Sequence, residues 1–249
     1  MSFFNVSIIG VGKVGGALAI ALSKKGYKVR QLVARNIEKA KKIASTIEPC
    51  PQILSENEFE KIDSDVILIA VQDSEITMVS EKLAERLDHL PFVFHTSGAI
   101  SSKALYRLSD EGCDVASFHP LVSISDPILG AEKFKDAYFC LEGDTESVSI
   151  GKQIVSDLKG KAFSILTKNK TLYHAAAVTA CGHVVALIST AIEMLSDCGL
   201  ERAKAQEILV KNCLLTDKDL VLGNDALFFT TVAALAELIP IRENKIKKY

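Results

Sequence analysis

Apolar positions in this chain come in short blocks separated by polar turns. Val6, Ile8 and Ile9 form a β-branched run, which predicts a strand buried on both faces of a sheet. Ala17-Leu18-Ala19-Ile20-Ala21-Leu22 continues as a helix that stops at Gly26. Lys28 to Ala34 predicts a second strand, Ile37 to Ile47 a second helix and Gln52-Ile53-Leu54 a short third strand. Asp65 to Val71 is apolar almost throughout and belongs in the middle of the sheet. A helix follows to about Leu87, with Asp73 or Ser74 as its N-cap. Phe92 to His95, Asp114 to Phe118, Ala137 to Leu141 and Ala162 to Leu166 complete the strands, with helices over 101–109 and 146–158 between them. Alternation of this kind predicts an α/β chain with right-handed crossovers and a doubly wound, mostly parallel sheet.

The pattern changes after Thr167. From Leu172 to Leu195 the chain is almost wholly apolar or small, and Glu193 is its one charge. About 20 apolar residues suffice to cross a bilayer. Here His174, Thr179, His183, Ser189, Thr190 and Glu193 interrupt the run, which argues against insertion and for a helix buried on all sides. Leu200 to Leu215 and Asp225 to Leu238 predict two more helices. The expected division is a sheet domain over 1–166 and a smaller all-α domain over 167–249, the latter providing the substrate side and a subunit contact.

The first strand runs into Gly10-Val11-Gly12-Lys13-Val14-Gly15, a G-x-G-x-x-G spacing with strand before and helix after. The first glycine permits the tight turn, the second has no Cβ to block a pyrophosphate, and the third lets helix and strand pack closely. This is the Rossmann dinucleotide fingerprint, and Gly10, Val11, Gly12, Lys13, Val14 and Gly15 are cofactor-binding candidates. Val71 and Gln72, at the carboxyl end of the central strand, join them. About 20 residues past the last fingerprint glycine, where an NAD enzyme commonly carries Asp or Glu, this chain has Arg35. An arginine there can pair with a 2′-phosphate, which favours NADP(H) over NAD(H).

The 249 residues suffice for one large core or two domains, and 48% hydrophobic with 24% charged residues is ordinary globular composition. A net charge of −2 provides no electrostatic case for nucleic acid or an anionic membrane. The basic tail Lys245-Ile246-Lys247-Lys248 reads as a solvated terminus. Six scattered cysteines without C-x-x-C fit reduced thiols in a cytoplasmic protein, and no signal peptide is evident at the N-terminus.

Three of the five histidines fall at joints. His95 and His119 end predicted strands, on the edge where open α/β sheets bind ligands, and His174 lies in the first turns of the apolar helix. Their shared placement makes His95, His119 and His174 candidates for contact with substrate, with at least one of them expected to touch it. Each histidine also has a plain structural alternative. A metal held by His95, His119 and His174 lacks any supporting local spacing. Thr96-Ser97-Gly98-Ala99 is not a nucleophile elbow, so Ser97 serves better as a hydroxyl donor beside the nicotinamide.

Gly10-Val11-Gly12-Lys13-Val14-Gly15, His95-Thr96-Ser97-Gly98-Ala99, Ser117-Phe118-His119-Pro120-Leu121, Leu141-Glu142-Gly143-Asp144 and Tyr173-His174-Ala175-Ala176-Ala177-Val178 together resemble a bacterial family. Its members are Rossmann-like proteins whose second half is called domain of unknown function 2520. Relatives include pyrroline-5-carboxylate reductases and F420-dependent NADP reductases. The resemblance spans about residues 4 to 215. It implies an N-terminal NAD(P)-binding domain and C-terminal helices that pair subunits as a homodimer. A more distant similarity to prephenate dehydrogenases implies that Ser97 and His119 correspond to their serine and H-P histidine. That histidine hydrogen-bonds the hydroxyl that loses its proton as hydride leaves. Two departures stand out: Gly182 where many relatives have Asn, and no T-G-P-type motif after about Leu215. The expected activity is hydride transfer to or from a small carbonyl, imine or hydroxyl substrate, against a non-catalytic NADP(H) sensor or a dimerisation module as alternatives.

Overall fold

Successive residues of a strand point to opposite faces of its sheet, so a strand apolar at every position needs cover on both sides. In the central strand Val66 and Leu68 enter one core and Ile67 and Ile69 the other, and Val6 and Ile8 divide from Ile9 in the same way. In the computed structural model, which describes residues 4–213, these strands lie in one sheet. Its members are β1 (Asn5–Ile9), β2 (Lys28–Val33), β3 (Gln52–Leu54), β4 (Val66–Ile69), β5 (Phe92–His95), β6 (Val115–Pro120), β7 (Tyr138–Gly143) and β8 (Lys161–Ser164), in the order β3-β2-β1-β4-β5-β6-β7-β8. The pairings from β3 to β6 are parallel, β7 runs antiparallel to β6, and β8 is parallel to β7.

Helices cover both faces. Residues of α1 (Lys13–Lys24), α2 (Ile37–Ala44) and α6 (Thr145–Asp157) share one core; those of α3 (Ile76–Ala84) and α4 (Tyr106–Asp110) share the other. Every residue of α1 from Gly15 to Leu22 is buried, which explains a helix with almost no polar face. A short α5 (Pro127–Gly130), capped by Asp126, packs on α1. The doubly wound sheet is therefore as expected. Asp73 is not the cap proposed for the following helix: it begins a 3-10 turn whose N-cap, Gln72, makes no side-chain capping bond. Asx capping from Asp73 or Ser74 is thus not used there.

The chain divides into compact units over Met1–Ala175 and Ala176–Tyr249. The first unit holds the sheet and the opening turns of α7 (Lys170–Val178), beyond the expected boundary at 166/167. In the second, α8 (Val184–Asp197) packs against α9 (Arg202–Cys213). From Thr167 to Asp197 the backbone is continuously helical, through a π-turn at Thr179–His183 that contains Gly182. By length and composition this helix could cross a membrane, with a mean hydropathy of 1.8 over its most apolar window. Its expected burial on all sides is not met: 6% of that window is buried, and Leu187 is 70% exposed. The helix expected over 225–238, the segment 216–249 and the basic tail lie outside the described residues.

Candidate active site

The fingerprint turn has the form its glycines require. Gly10 has φ +96°, and a Cβ there would meet the Ala70 carbonyl oxygen at 2.5 Å and Val71 Cγ1 at 3.0 Å. A Cβ on Gly15 would lie 2.0 Å from the Gly10 carbonyl oxygen, so α1 can approach β1 only with glycine here. Gly12 differs: nothing lies within 4 Å of its Cβ position. Gly12 is also the N-cap of α1, with no side-chain capping bond and no acidic residue in the first turn. The helix N-terminus thus offers backbone N–H groups beside open space, a fit for a pyrophosphate. Val11 is buried in the core and has only its backbone to offer, Val14 is half-buried against the same core, and Lys13 is exposed. Val71 lines the turn at Gly10, whereas the Gln72 side chain is exposed.

Arg35 lies just past β2 and pairs with Glu75 Oε1 at 2.7 Å and Glu56 Oε1 at 3.3 Å. Its side chain is 63% exposed, so these pairs are weak, and a 2′-phosphate would compete for the guanidinium.

The histidine cluster forms at the carboxyl ends of β5 and β6. His95 is buried, and its Nδ1 accepts the Ser97 N–H at 3.2 Å while Nε2 has no hydrogen-bond partner. Burial lowers its pKa to about 4, helped by the Lys170 ammonium and opposed by the Ser101 backbone. The Ser97 hydroxyl oxygen accepts the Ala99 and Ile100 N–H groups at 3.1 and 3.0 Å, so its proton remains free to donate. His119 Nδ1 meets the Tyr173 hydroxyl at 2.8 Å. Burial, then the charges of Lys170, His174 and His95, lower its pKa to about 4, so the ring is neutral at pH 7.

His119 and His174 converge on Gly98. A Cβ on Gly98 would lie 2.7 Å from His119 Nε2 and 2.8 Å from His174 Nδ1, and the latter is buried without a hydrogen-bond partner. The two nitrogens are therefore no further apart than the sum of those distances. Ser97 adjoins them, and His95 reaches the cluster through the Ser97 backbone. His89 is elsewhere, its Nε2 3.0 Å from the Ser64 carbonyl oxygen. Among the described residues, no group of three or more His, Cys, Asp or Glu is placed to hold a metal ion.

Sequence reasoning misses Lys170, Tyr173 and the tight fit at Gly98. Lys170 is 1% exposed, and its Nζ donates to Ser117 Oγ at 2.6 Å and lies 5.4 Å from the Tyr173 ring centroid. Burial lowers its pKa, while Cys140, Glu142 and Asp73 oppose the shift. Burial also raises the pKa of Tyr173, whose hydroxyl has the Cys140 thiol as a further partner. Lys170, Tyr173 and His174 stand at i, i+3 and i+4, one face of a helix, and that K-x-x-Y-H spacing was the available signal. Nearby, Glu142 is buried and accepts from the Ser102 N–H at 2.8 Å and its hydroxyl at 2.9 Å.

Residues 2–120 match the Rossmann-like domain, and residues 137–216 match a domain of unknown function (DUF2520). Among solved structures, the protein TM1727 of Thermotoga maritima is similar at 23% identity and TM-score 0.66, over 93% of this chain and 97% of that one. Prephenate dehydrogenase of A. aeolicus, in complex with hydroxyphenyl propionate and NAD+, is similar at 17% identity and TM-score 0.64, over 95% of this chain and 84% of its own. A 1-pyrroline-5-carboxylate reductase of Streptococcus pyogenes follows at 19% identity and TM-score 0.64, over 94% and 90%. At these identities the likeness is one of fold. No curated protein matches the chain in sequence.

Proposed function

We propose that this chain, a Rossmann-like domain followed by DUF2520, is an NADP(H)-dependent oxidoreductase acting on a small carbonyl, imine or hydroxyl compound. The observation that carries the proposal is the convergence of His119 Nε2 and His174 Nδ1 on Gly98, at the ligand-binding edge of the sheet. The uncapped N-terminus of α1 at Gly12 would hold the pyrophosphate, Val71 would line the turn beside it, and Arg35 would meet the 2′-phosphate. When bound, the nicotinamide supplies or accepts the hydride.

The protein's own residues handle the proton. With the Tyr173 O–H directed at Cys140, the Tyr173 oxygen accepts the Nδ1–H of His119. His119 Nε2 then has a lone pair at Gly98, ready to accept the proton of a hydroxyl or amine as it is oxidised. In the reverse direction the imidazolium returns that proton to oxygen or nitrogen. His174 Nδ1 and the Ser97 O–H orient the substrate. His95 holds the Ser97 turn from behind through the Ser97 N–H.

The partner is a second copy of this chain, joined through the C-terminal helices and covering the exposed apolar residues Leu187 and Met194. Neither nucleic acid nor membrane is a partner, and the setting is cytoplasmic. Free thiols at Cys50, Cys113, Cys140, Cys181 and Cys198 support that setting. The test of function is fluorescence titration with NADPH and NADH, followed by a panel of carbonyl, imine and hydroxyl compounds read at the nicotinamide absorbance. NADPH binding with turnover of one class supports the proposal. Binding without turnover on any of them makes the chain a sensor, and no binding overturns both.

A further inference from the structure

Lysine is rarely buried without a carboxylate beside it. Lys170 is buried, and among the described residues no carboxylate is within ion-pair distance of it. What it does contact is the framework of the site. The Lys170 ammonium donates to Ser117 Oγ, which turns the Ser117 proton away, onto the Ser97 carbonyl at 3.3 Å. Ser97 and Gly98 form the turn on which both catalytic imidazoles converge. Three residues further along the same helix, Tyr173 grips His119, which is two residues beyond Ser117 on the same face of β6. One helical turn thus holds two successive same-face positions of the histidine strand.

We propose that Lys170 is a positioning residue of the site, acting through Ser117 on the Ser97–Gly98 turn and through space on His119. The proposal rests on the reading above for the role of His119. The groups facing that imidazole are His95 on β5, Cys140 opposite it on β7, and Lys170, Tyr173 and His174 on α7. Glu142 and Asp73 act on Lys170, and no carboxylate is among the groups that shift His119. Burial is the larger cause of the neutral ring, and a fixed cation with that company adds to it by opposing imidazolium, so Lys170 makes the protonated form of His119 a stronger acid than burial alone would.

The experiment follows His119 and the Ser97, Gly98 and Ala99 amides by NMR pH titration in the full chain, wild type against Lys170→Met, Lys170→Arg and Ser117→Ala. In Lys170→Met the His119 midpoint should rise by about one unit, and in Lys170→Arg, which keeps the charge, it should stay low. Ser117→Ala should leave the midpoint in place and move the three turn amides, because the link is cut while the charge remains. A folded Lys170→Met protein with an unmoved His119 midpoint overturns the proposal, as do unmoved turn amides in Ser117→Ala. If Lys170→Met does not fold, the Ser117→Ala amides decide. None of these readouts uses cofactor or substrate, so a chain that fails to bind NADPH would contradict the oxidoreductase reading without touching this result.

Discussion

Gly98 is the residue on which the site is most sharply constrained. Gly98→Ala places a methyl within 2.8 Å of both imidazoles, and one or both must move. Turnover should fall by about 100-fold or more, with about 1–3 kcal/mol lost in urea denaturation from overpacking. Tyr173→Phe is milder in space and specific in chemistry. Without the tyrosine oxygen, His119 Nδ1 loses its hydrogen-bond partner, and kcat should drop roughly 10- to 100-fold with NADPH affinity unchanged by fluorescence. Histidines at strand ends were legible because the carboxyl edge of an α/β sheet is where ligands bind. Lys170 was not. In Lys168-Asn169-Lys170-Thr171 a lysine reads as solvated surface, and only the folded register sends its ammonium inward to Ser117.

At the scale of elements, the N-terminus of α1 makes a prediction of two opposite signs. Gly12→Asp puts a carboxylate where nothing crowds it and where an uncapped helix welcomes negative charge. Stability should rise by about 0.5–1 kcal/mol in denaturant titrations, while NADPH affinity falls at least about 10-fold, since the same N–H groups and field are then taken. At the end of β2, Arg35→Ala should weaken NADPH about 10-fold or more in titrations and leave NADH nearly unaffected; equal losses would remove Arg35 from 2′-phosphate recognition. These elements were readable because glycine spacing and double-sided burial are both written in local sequence. The helix after Thr167 was harder. Periodicity tells that a helix is apolar all round, but not whether its cover comes from the same chain, and the described residues cover little of it. Asp73 was misread for a related reason: a capping residue type does not guarantee capping geometry when the turn begins as a 3-10 helix.

For the whole molecule, the buried imidazoles tie stability to pH. His95 and His119 have folded pKa values of about 4, depressed by burial, against an ordinary value near 6.5. An unfolded chain takes up these protons as pH falls through about 6.5, and the folded chain resists until about 4. Their contribution is therefore complete above about pH 6.5 and is lost between 6.5 and 4, on the order of 3 kcal/mol each. Denaturant titrations at pH 7.5 and 4.5 should reveal that loss, and His95→Asn should reduce it if the variant folds. The proposed homodimer would cover the exposed helix. Sedimentation should give a dimer, and Leu187→Lys, at an exposed apolar position, should shift it to monomer; a wild-type monomer would leave the helix face without its proposed cover.

The central claim is that His119 moves the proton of a hydride-transfer reaction at the histidine cluster. The measurement closest to it is the turnover rate of His119→Ala relative to wild type on the same NADP(H)-linked substrate, with NADPH affinity taken from the same preparation. Affinity within a factor of about two and turnover reduced by about 100-fold or more is the expected result. An alanine variant that turns over at the wild-type rate would contradict it.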